Sequence, residues 1–368
     1  MSKIKYFIKH TGWQILENIF TYKQVRDVKY KYNQLPDKKK LTREQRKEVI
    51  DFYKKLTGIK VPLIWHEYYY SKTGQFEKEV LPDSLYRQNL IGRANKFNYR
   101  DAYADKNMID VYLPGVRIPK PILKNLNGYF YMDGVPVTRE DAIARLQNIE
   151  LAIIKPTLES HGDGVHKLKV SDGMTNIEGK TLDQLFSDSY NNKNFIIQEW
   201  VEQHDALAAL NPSSLNTIRI VTFRMDLEIL VLFSSIRIGR MGSEIDNLGA
   251  GGLSVVVNTD GTLGKYGYLS DNKNRRETTD TGAVLDGYQL PSFDKVLEFV
   301  KKLHYRFPFF DMIGWDVSVN KSGEPVLVEW NVRTELSQLS YGPAFGKNTE
   351  RIIKKLWPRE NTRNPFWK

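Results

Sequence analysis

The chain has 368 residues, 41% of them hydrophobic, and no cysteine. That length can bury a substantial core as one large multi-lobed unit or two to three compact domains, and the missing thiols exclude disulfides, thiolate metal sites and a cysteine nucleophile. The net charge of +10 is local: residues 1–60 hold 16 Lys or Arg against 6 Asp or Glu, and the rest of the chain holds 38 of each sign.

A basic segment confined to one end suits docking to an acidic partner or an anionic membrane surface, or simply a solvated helical face. It does not suit a chain built throughout for nucleic acid, and none is expected as a partner. No apolar run approaches the roughly 20 residues that span a bilayer. The segment Met1 to Trp13 lacks the unbroken apolar stretch of a signal peptide. The expected location is therefore the cytoplasm, with peripheral attachment to the inner face of the membrane through residues 1–60 as an option.

In chain order, Trp13, Ile15, Leu16, Ile19 and Phe20 give a somewhat irregular helix. A second helix is better signalled: Thr42 is an N-cap, Gln45 stands three residues on, Val49, Ile50, Tyr53 and Leu56 form an apolar side, and Gly58 is a stop. Trp65 and Tyr68 to Tyr70 form an aromatic cluster, read as core before sugar platform. Beyond Pro62, short apolar runs separated by Pro and Gly turns suggest a mixed α/β lobe.

From Leu151 strands dominate, at 151–154, 165–170, 195–201, 217–224, 229–238 and 253–258. A helical period over 296–303 follows, then strands at 313–319 and 325–332. His161 and His166 are five apart on a turn and a strand, a poor spacing for zinc. The patterns Gly-x-Ser-x-Gly, Gly-x-x-x-x-Gly-Lys-Ser/Thr and His-Glu-x-x-His are absent, which argues against the corresponding hydrolase, P-loop and zincin chemistries.

The last two strands flank a turn at Ser322-Gly323. Antiparallel pairing about that turn sets Asp316 directly opposite Glu329. Two carboxylates so placed repel unless a cation lies between them. Asn331, two residues beyond Glu329, shares its face and adds a third oxygen. Hard oxygen donors without His or Cys favour Mg²⁺ or Mn²⁺ over Zn²⁺.

Lys155 ends an apolar strand and precedes a loop with Ser160, Gly162 and Gly164, whose backbone N–H groups can turn toward phosphate oxygens. Phe195 to Val201 is an apolar strand running into polar residues as far as Asp205. Taken in order, Lys106, the Lys155-Pro156 strand and glycine loop, Gln198-Glu-Trp-Val201, Arg219, and finally Asp316 with Glu329-x-Asn331 resemble the ATP-grasp superfamily over about residues 61–356. Arg237 and the run Asn247-Leu-Gly-Ala-Gly-Gly252 are similar to elements of ligases that add glutamate to a ribosomal protein. The whole resembles the sugar-transfer-associated and teichuronopeptide-type ATP-grasp proteins of bacterial polysaccharide clusters.

That resemblance implies an α+β fold in which ATP lies between two antiparallel β-sheets, beside a basic helical extension. The implied divisions are 1–60 for the extension, 61–149 for an N-terminal α/β lobe, 150–206 for a lid, 207–356 for the catalytic part and 357–368 for a tail. It implies phosphate contacts from Lys106 and Lys155 and adenine contacts from Gln198 and the backbone of Glu199 and Val201. Asp205 would meet the ribose, Asn247 the nucleotide, and Asp316, Glu329 and Asn331 one or two Mg²⁺. Arg219 and Arg237 would steady the transferred phosphoryl group. Arg333 departs from the small residue usual after Glu-x-Asn and would meet an acidic acceptor or the phosphate, while Ala250 replaces a basic residue. The implied activity is MgATP-dependent joining of a carboxylate to an amine through an acylphosphate. A phosphotransferase acting on a sugar or polyol hydroxyl would use the same nucleotide site.

Overall fold

The computed structural model describes residues 19–158, 164–191, 193–244, 246, 249, 251–270 and 274–357. The chain divides into two compact units. One holds the described residues of Met1–Lys96 with Phe310–Met312 and those of Arg333–Lys368, and the other holds those of Phe97–Phe309 with Ile313–Val332.

The first unit is helical. Helix α1 spans 19–33; Trp13, Ile15 and Leu16 of the expected helix lie outside the described residues. Helix α2, Arg43–Thr57, forms as its sequence requires: Gln45 N–H donates to Thr42 Oγ1 at 3.2 Å, and Thr42 N–H donates to Gln45 Oε1 at 2.9 Å. The two side chains thereby satisfy N–H groups that have no partner inside a first turn. Gly58, at φ 74°, takes the left-handed conformation that closes the helix through its N–H to Lys54 O. Val49, Tyr53 and Leu56 are buried, and the Tyr53 hydroxyl donates to Val80 O at 2.8 Å. Helix α3, Ile64–Thr73, buries Trp65 and Tyr69, so these two aromatics are core. Glu67, also buried, is matched by Lys40 at 3.1 Å and Arg46 at 2.9 Å.

The second unit is built on two antiparallel seven-stranded sheets. The first comprises β1 (Pro121–Leu126), β2 (Tyr129–Met132), β3 (Val135–Val137), β4 (Ile149–Pro156), β5 (His166–Ser171), β6 (Met174–Thr175) and β7 (Phe195–Glu199), in the order β3-β2-β1-β7-β4-β5-β6. Leu123, Ile154, Leu168, Phe186 and Phe195 belong to its core. Strands β1 to β3 thus join the sheet of β4 and β7, whereas the expected boundary at 149 separates them.

The second sheet comprises β8 (Thr217–Met225), β9 (Glu228–Ile238), β10 (Leu253–Val257), β11 (Leu263–Tyr268), β12 (Arg275–Arg276), β13 (Met312–Val319) and β14 (Pro325–Asn331), in the order β12-β11-β10-β9-β8-β13-β14. Every residue of β13 is buried, as its apolar residues in both phases imply. Trp315 Nε1–H donates to Thr222 Oγ1 at 2.7 Å, and the same hydroxyl lies 2.7 Å from His304 Nδ1 of the helix Phe293–His304. A buried polar chain of this kind, with each group partnered, fixes how that helix seats on the sheet.

The terminal hairpin has the expected pairing where it matters: Gly314, Trp315 and Asp316 face Asn331, Trp330 and Glu329. Nearer the turn the register shifts, and Val317 pairs with Leu327. One extra residue on β14, Val328, forms the bulge that brings Glu329 opposite Asp316.

Candidate active site

Four adjacent strands of the second sheet bring charged side chains to one place. Arg219 on β8 binds Asp316 on β13 through both oxygens, Nε to Oδ1 at 2.5 Å and Nη2 to Oδ2 at 2.6 Å. Such a two-point fork is the strongest geometry available to the pair. Arg237 on β9 reaches within 3.7 Å of Asp316 Oδ2, and the Asp316 side chain is only 2% exposed. Glu329 stands opposite Asp316, and Asn331 Nδ2 donates to Glu329 Oε1 at 3.4 Å.

Two lysines complete the cluster. Lys106 Nζ lies 3.5 Å from Glu329 Oε2 and donates to Thr157 O at 3.4 Å. Lys155 ends β4, and burial lowers its ammonium to about 8; Lys106 pushes it the same way, with Glu329 opposing. Burial raises the Glu329 carboxyl, but Lys106 and Lys155 more than offset this and hold it below the usual range. The carboxylate repulsion in the hairpin is therefore relieved by side chains, Arg219 on Asp316 and Lys106 on Glu329, in the role the sequence reading gives to a metal ion.

A carboxylate missed in the sequence belongs to the same cluster. Asp246 accepts from Thr217 N at 3.0 Å and from Thr217 Oγ1 at 2.5 Å. Burial raises it to about 6; Arg237 and Thr217 oppose the rise, and Asp316 and Glu329 add to it. Its only sequence signal is its place just before Asn247.

The approach to β8 is also built from residues that, Asn216 apart, carried no motif. Gln203 Nε2 donates to Asn211 O and Ser214 O, at 3.0 and 2.9 Å, and its Oε1 accepts from Asn216 N at 3.0 Å. Ser318 of β13 donates to Asn216 O at 3.0 Å. This buried network sets the chain three residues before Arg219 and ties β8 to the strand of Asp316. His204 N–H donates to Val319 O at 2.8 Å, so the segment leaving β7 is fastened to the far end of that strand.

Gln198 and Val201 are buried in and just after β7. Glu199 N–H is spent on Lys120 O at 2.9 Å, so it is not the group that meets an adenine edge. Asp205 is exposed in the first turn of the helix Asp205–Leu210. Gly164, at φ +72°, would set a Cβ 2.9 Å from Pro156 Cγ, so packing against the end of β4 accounts for its being glycine. Ser160, Gly162, His161, Ala250 and Asn247 lie outside the described residues. Arg333 is an exposed residue of the other unit.

The donor set fits a hard cation carried on a polyphosphate. Asp316, Glu329 and Asn331 offer oxygen donors, although among the described residues no group of three or more His, Cys, Asp or Glu is placed to hold a metal ion by itself. Mg²⁺ commonly takes such partial protein ligation and completes its shell with phosphate and water. Four cations, Lys106, Lys155, Arg219 and Arg237, face three carboxylates, Asp246, Asp316 and Glu329. That surplus of positive charge suits an anion.

Residues 86–354 match a family described as sugar-transfer associated ATP-grasp. No curated protein matches the chain. Similar solved structures include L-amino acid ligase from Bacillus licheniformis, 10% identical, with 68% of this chain and 48% of that one covered at a TM-score of 0.36. N5-carboxyaminoimidazole synthetase from Staphylococcus aureus, complexed with ADP, is 10% identical over 64% and 46% of the two chains, TM-score 0.38. Biotin carboxylase from Campylobacter jejuni, in a β-γ-ATP complex, is 10% identical over 69% and 46%, TM-score 0.41. The chain thus spans about half the length of each.

Proposed function

The chain belongs to the sugar-transfer associated ATP-grasp family, and from that membership we propose that it is an ADP-forming carboxylate–amine ligase that works through an acylphosphate. Its substrates on this reading are a sugar or amino-acid component of a bacterial surface polysaccharide, and its compartment is the cytoplasm. The observation that carries the reading is the cationic surplus around Asp316 and Glu329, gathered from both sheets of one unit.

Lys106 and Lys155 bind the phosphates of ATP, with the loop through Ser160 and Gly162 to Gly164. Gln198 and the backbone at Glu199 and Val201, other than the Glu199 N–H, meet the adenine, and Asp205 meets the ribose; Asn247 adds a nucleotide contact. Asp316, Glu329 and Asn331 hold one or two Mg²⁺, with Mn²⁺ as a substitute. Bound there, the metal neutralises charge on the phosphates.

A substrate carboxylate oxygen attacks the γ-phosphorus and ADP leaves with the electrons of the broken P–O bond. The amine then attacks the acyl carbon and phosphate departs. Arg219 and Arg237 stabilise negative charge on the transferred phosphoryl group, which needs positioning and charge more than a nucleophilic side chain. Asp246, an ionised carboxylate at neutral pH with a raised proton affinity, takes the proton that the amine loses.

Incubation of the protein with MgATP, uronic acids, amino acids and amino sugars tests the reaction class. ADP, free phosphate and an amide product in equal amounts are the expected result. A product heavier by one phosphate, with ADP and no free phosphate, would establish a phosphotransferase instead.

A further inference from the structure

The outward face of α1 is unlike an ordinary solvated helix. Its inward face is anchored: Val28 and Tyr32 are buried, Thr21 Oγ1 donates to Gln88 Oε1 at 2.8 Å, and Lys40 Nζ sits 4.8 Å above the Tyr32 ring. Opposite this anchor, Ile19, Tyr22, Lys23, Arg26 and Tyr30 stand at i, i+3, i+4, i+7 and i+11 and so form one stripe. Ile19, Tyr22 and Tyr30 are 57%, 70% and 67% exposed, and Phe20 on the flank is 57% exposed. Lys29 and Lys31 border the stripe, and the sole acid of α1 is Asp27, against four basic residues, Lys23, Arg26, Lys29 and Lys31.

Of the large apolar side chains that are exposed among the described residues, four of fourteen stand on this one helix. Apolar side chains so concentrated on a firmly seated helix call for a surface that covers them. The interleaved lysines and arginine require that surface to be anionic. An acidic protein would answer the charges alone, whereas rings with a polar tip lying among basic residues match the headgroup layer of a membrane, where Tyr sits between water and acyl chains.

We propose that α1 docks this protein on an anionic lipid surface, with Ile19, Tyr22 and Tyr30 entering the headgroup region and Lys23, Arg26 and Lys29 pairing with lipid phosphates. The proposal is independent of the reaction assigned above, because no residue of α1 belongs to the nucleotide site.

The test is sedimentation of the full chain with vesicles of phosphatidylcholine alone and with added phosphatidylglycerol. The protein is expected to sediment only with the anionic vesicles and to be released as salt rises. Each basic residue neutralised lowers the partition about fivefold, so the triple change Lys23→Gln, Arg26→Gln, Lys29→Gln lowers it by about two orders of magnitude. Tyr22→Ser with Tyr30→Ser weakens binding at low and high salt alike. All five side chains are exposed, and unchanged melting verifies that the variants fold. Sedimentation with neither vesicle, equal sedimentation with both, or partition indifferent to either set of changes would overturn the proposal. An acidic protein partner without vesicle binding would overturn it too.

Discussion

Arg219 and Asp316 form a buried pair that neither can leave cheaply. Removing one partner of such a pair leaves an uncompensated charge and costs about 3–5 kcal/mol. Substitution of Asp316 therefore confounds chemistry with folding, and Glu329, whose side chain is 32% exposed, is the cleaner probe. Lys155 offers a test by pH. Its ammonium is depressed to about 8 by burial and Lys106, so the charge is present below that value and lost as pH rises through it. The KM for MgATP is expected to increase as pH passes 8, because a phosphate contact needs the charged form. In Lys155→Arg, whose guanidinium stays charged, the KM should stay flat over the same range. A rise of equal size in both proteins would assign the titration elsewhere.

Elements whose pattern is local were the most legible in the sequence. Helix α2 has its cap, its stop and its apolar side within a short stretch, and all three appear. Thr42→Ala, which removes the acceptor for Gln45 N–H, is expected to lower stability in a denaturant titration by about 1 kcal/mol, with Thr42→Ser restoring most of it. The pairing of Asp316 with Glu329 was legible from the turn and alternation, but it holds only because the bulge at Val328 offsets a register that runs one residue out beside the turn. That bulge was not legible, because no residue there signals it. Strands β1 to β3 were legible only as short apolar runs between Pro and Gly turns, since Pro121 begins one and Pro136 interrupts another; β3 tolerates that proline as an edge strand. The approach of Lys106 to Glu329, more than two hundred positions apart, came only from a resemblance in motif order. Asp246 went unread because its carboxyl is defined by Thr217, on a strand 29 positions earlier.

At the scale of the molecule, charge is divided by task. The excess of the first sixty residues is carried partly by α1 and α2 of the helical unit, while the rest of the chain is neutral overall and gathers four of its cations at one point. That cluster implies a polyanionic ligand before it implies any particular acceptor, so binding is a more direct test than turnover. Calorimetric titration of MgATP into wild type, Lys155→Met and Glu329→Gln decides the matter. The account predicts saturable 1:1 binding by wild type, about tenfold or more weaker in Lys155→Met, and in Glu329→Gln a loss of the advantage of MgATP over ATP without metal. No saturable heat with wild type, or equal affinity in all three proteins, would contradict it.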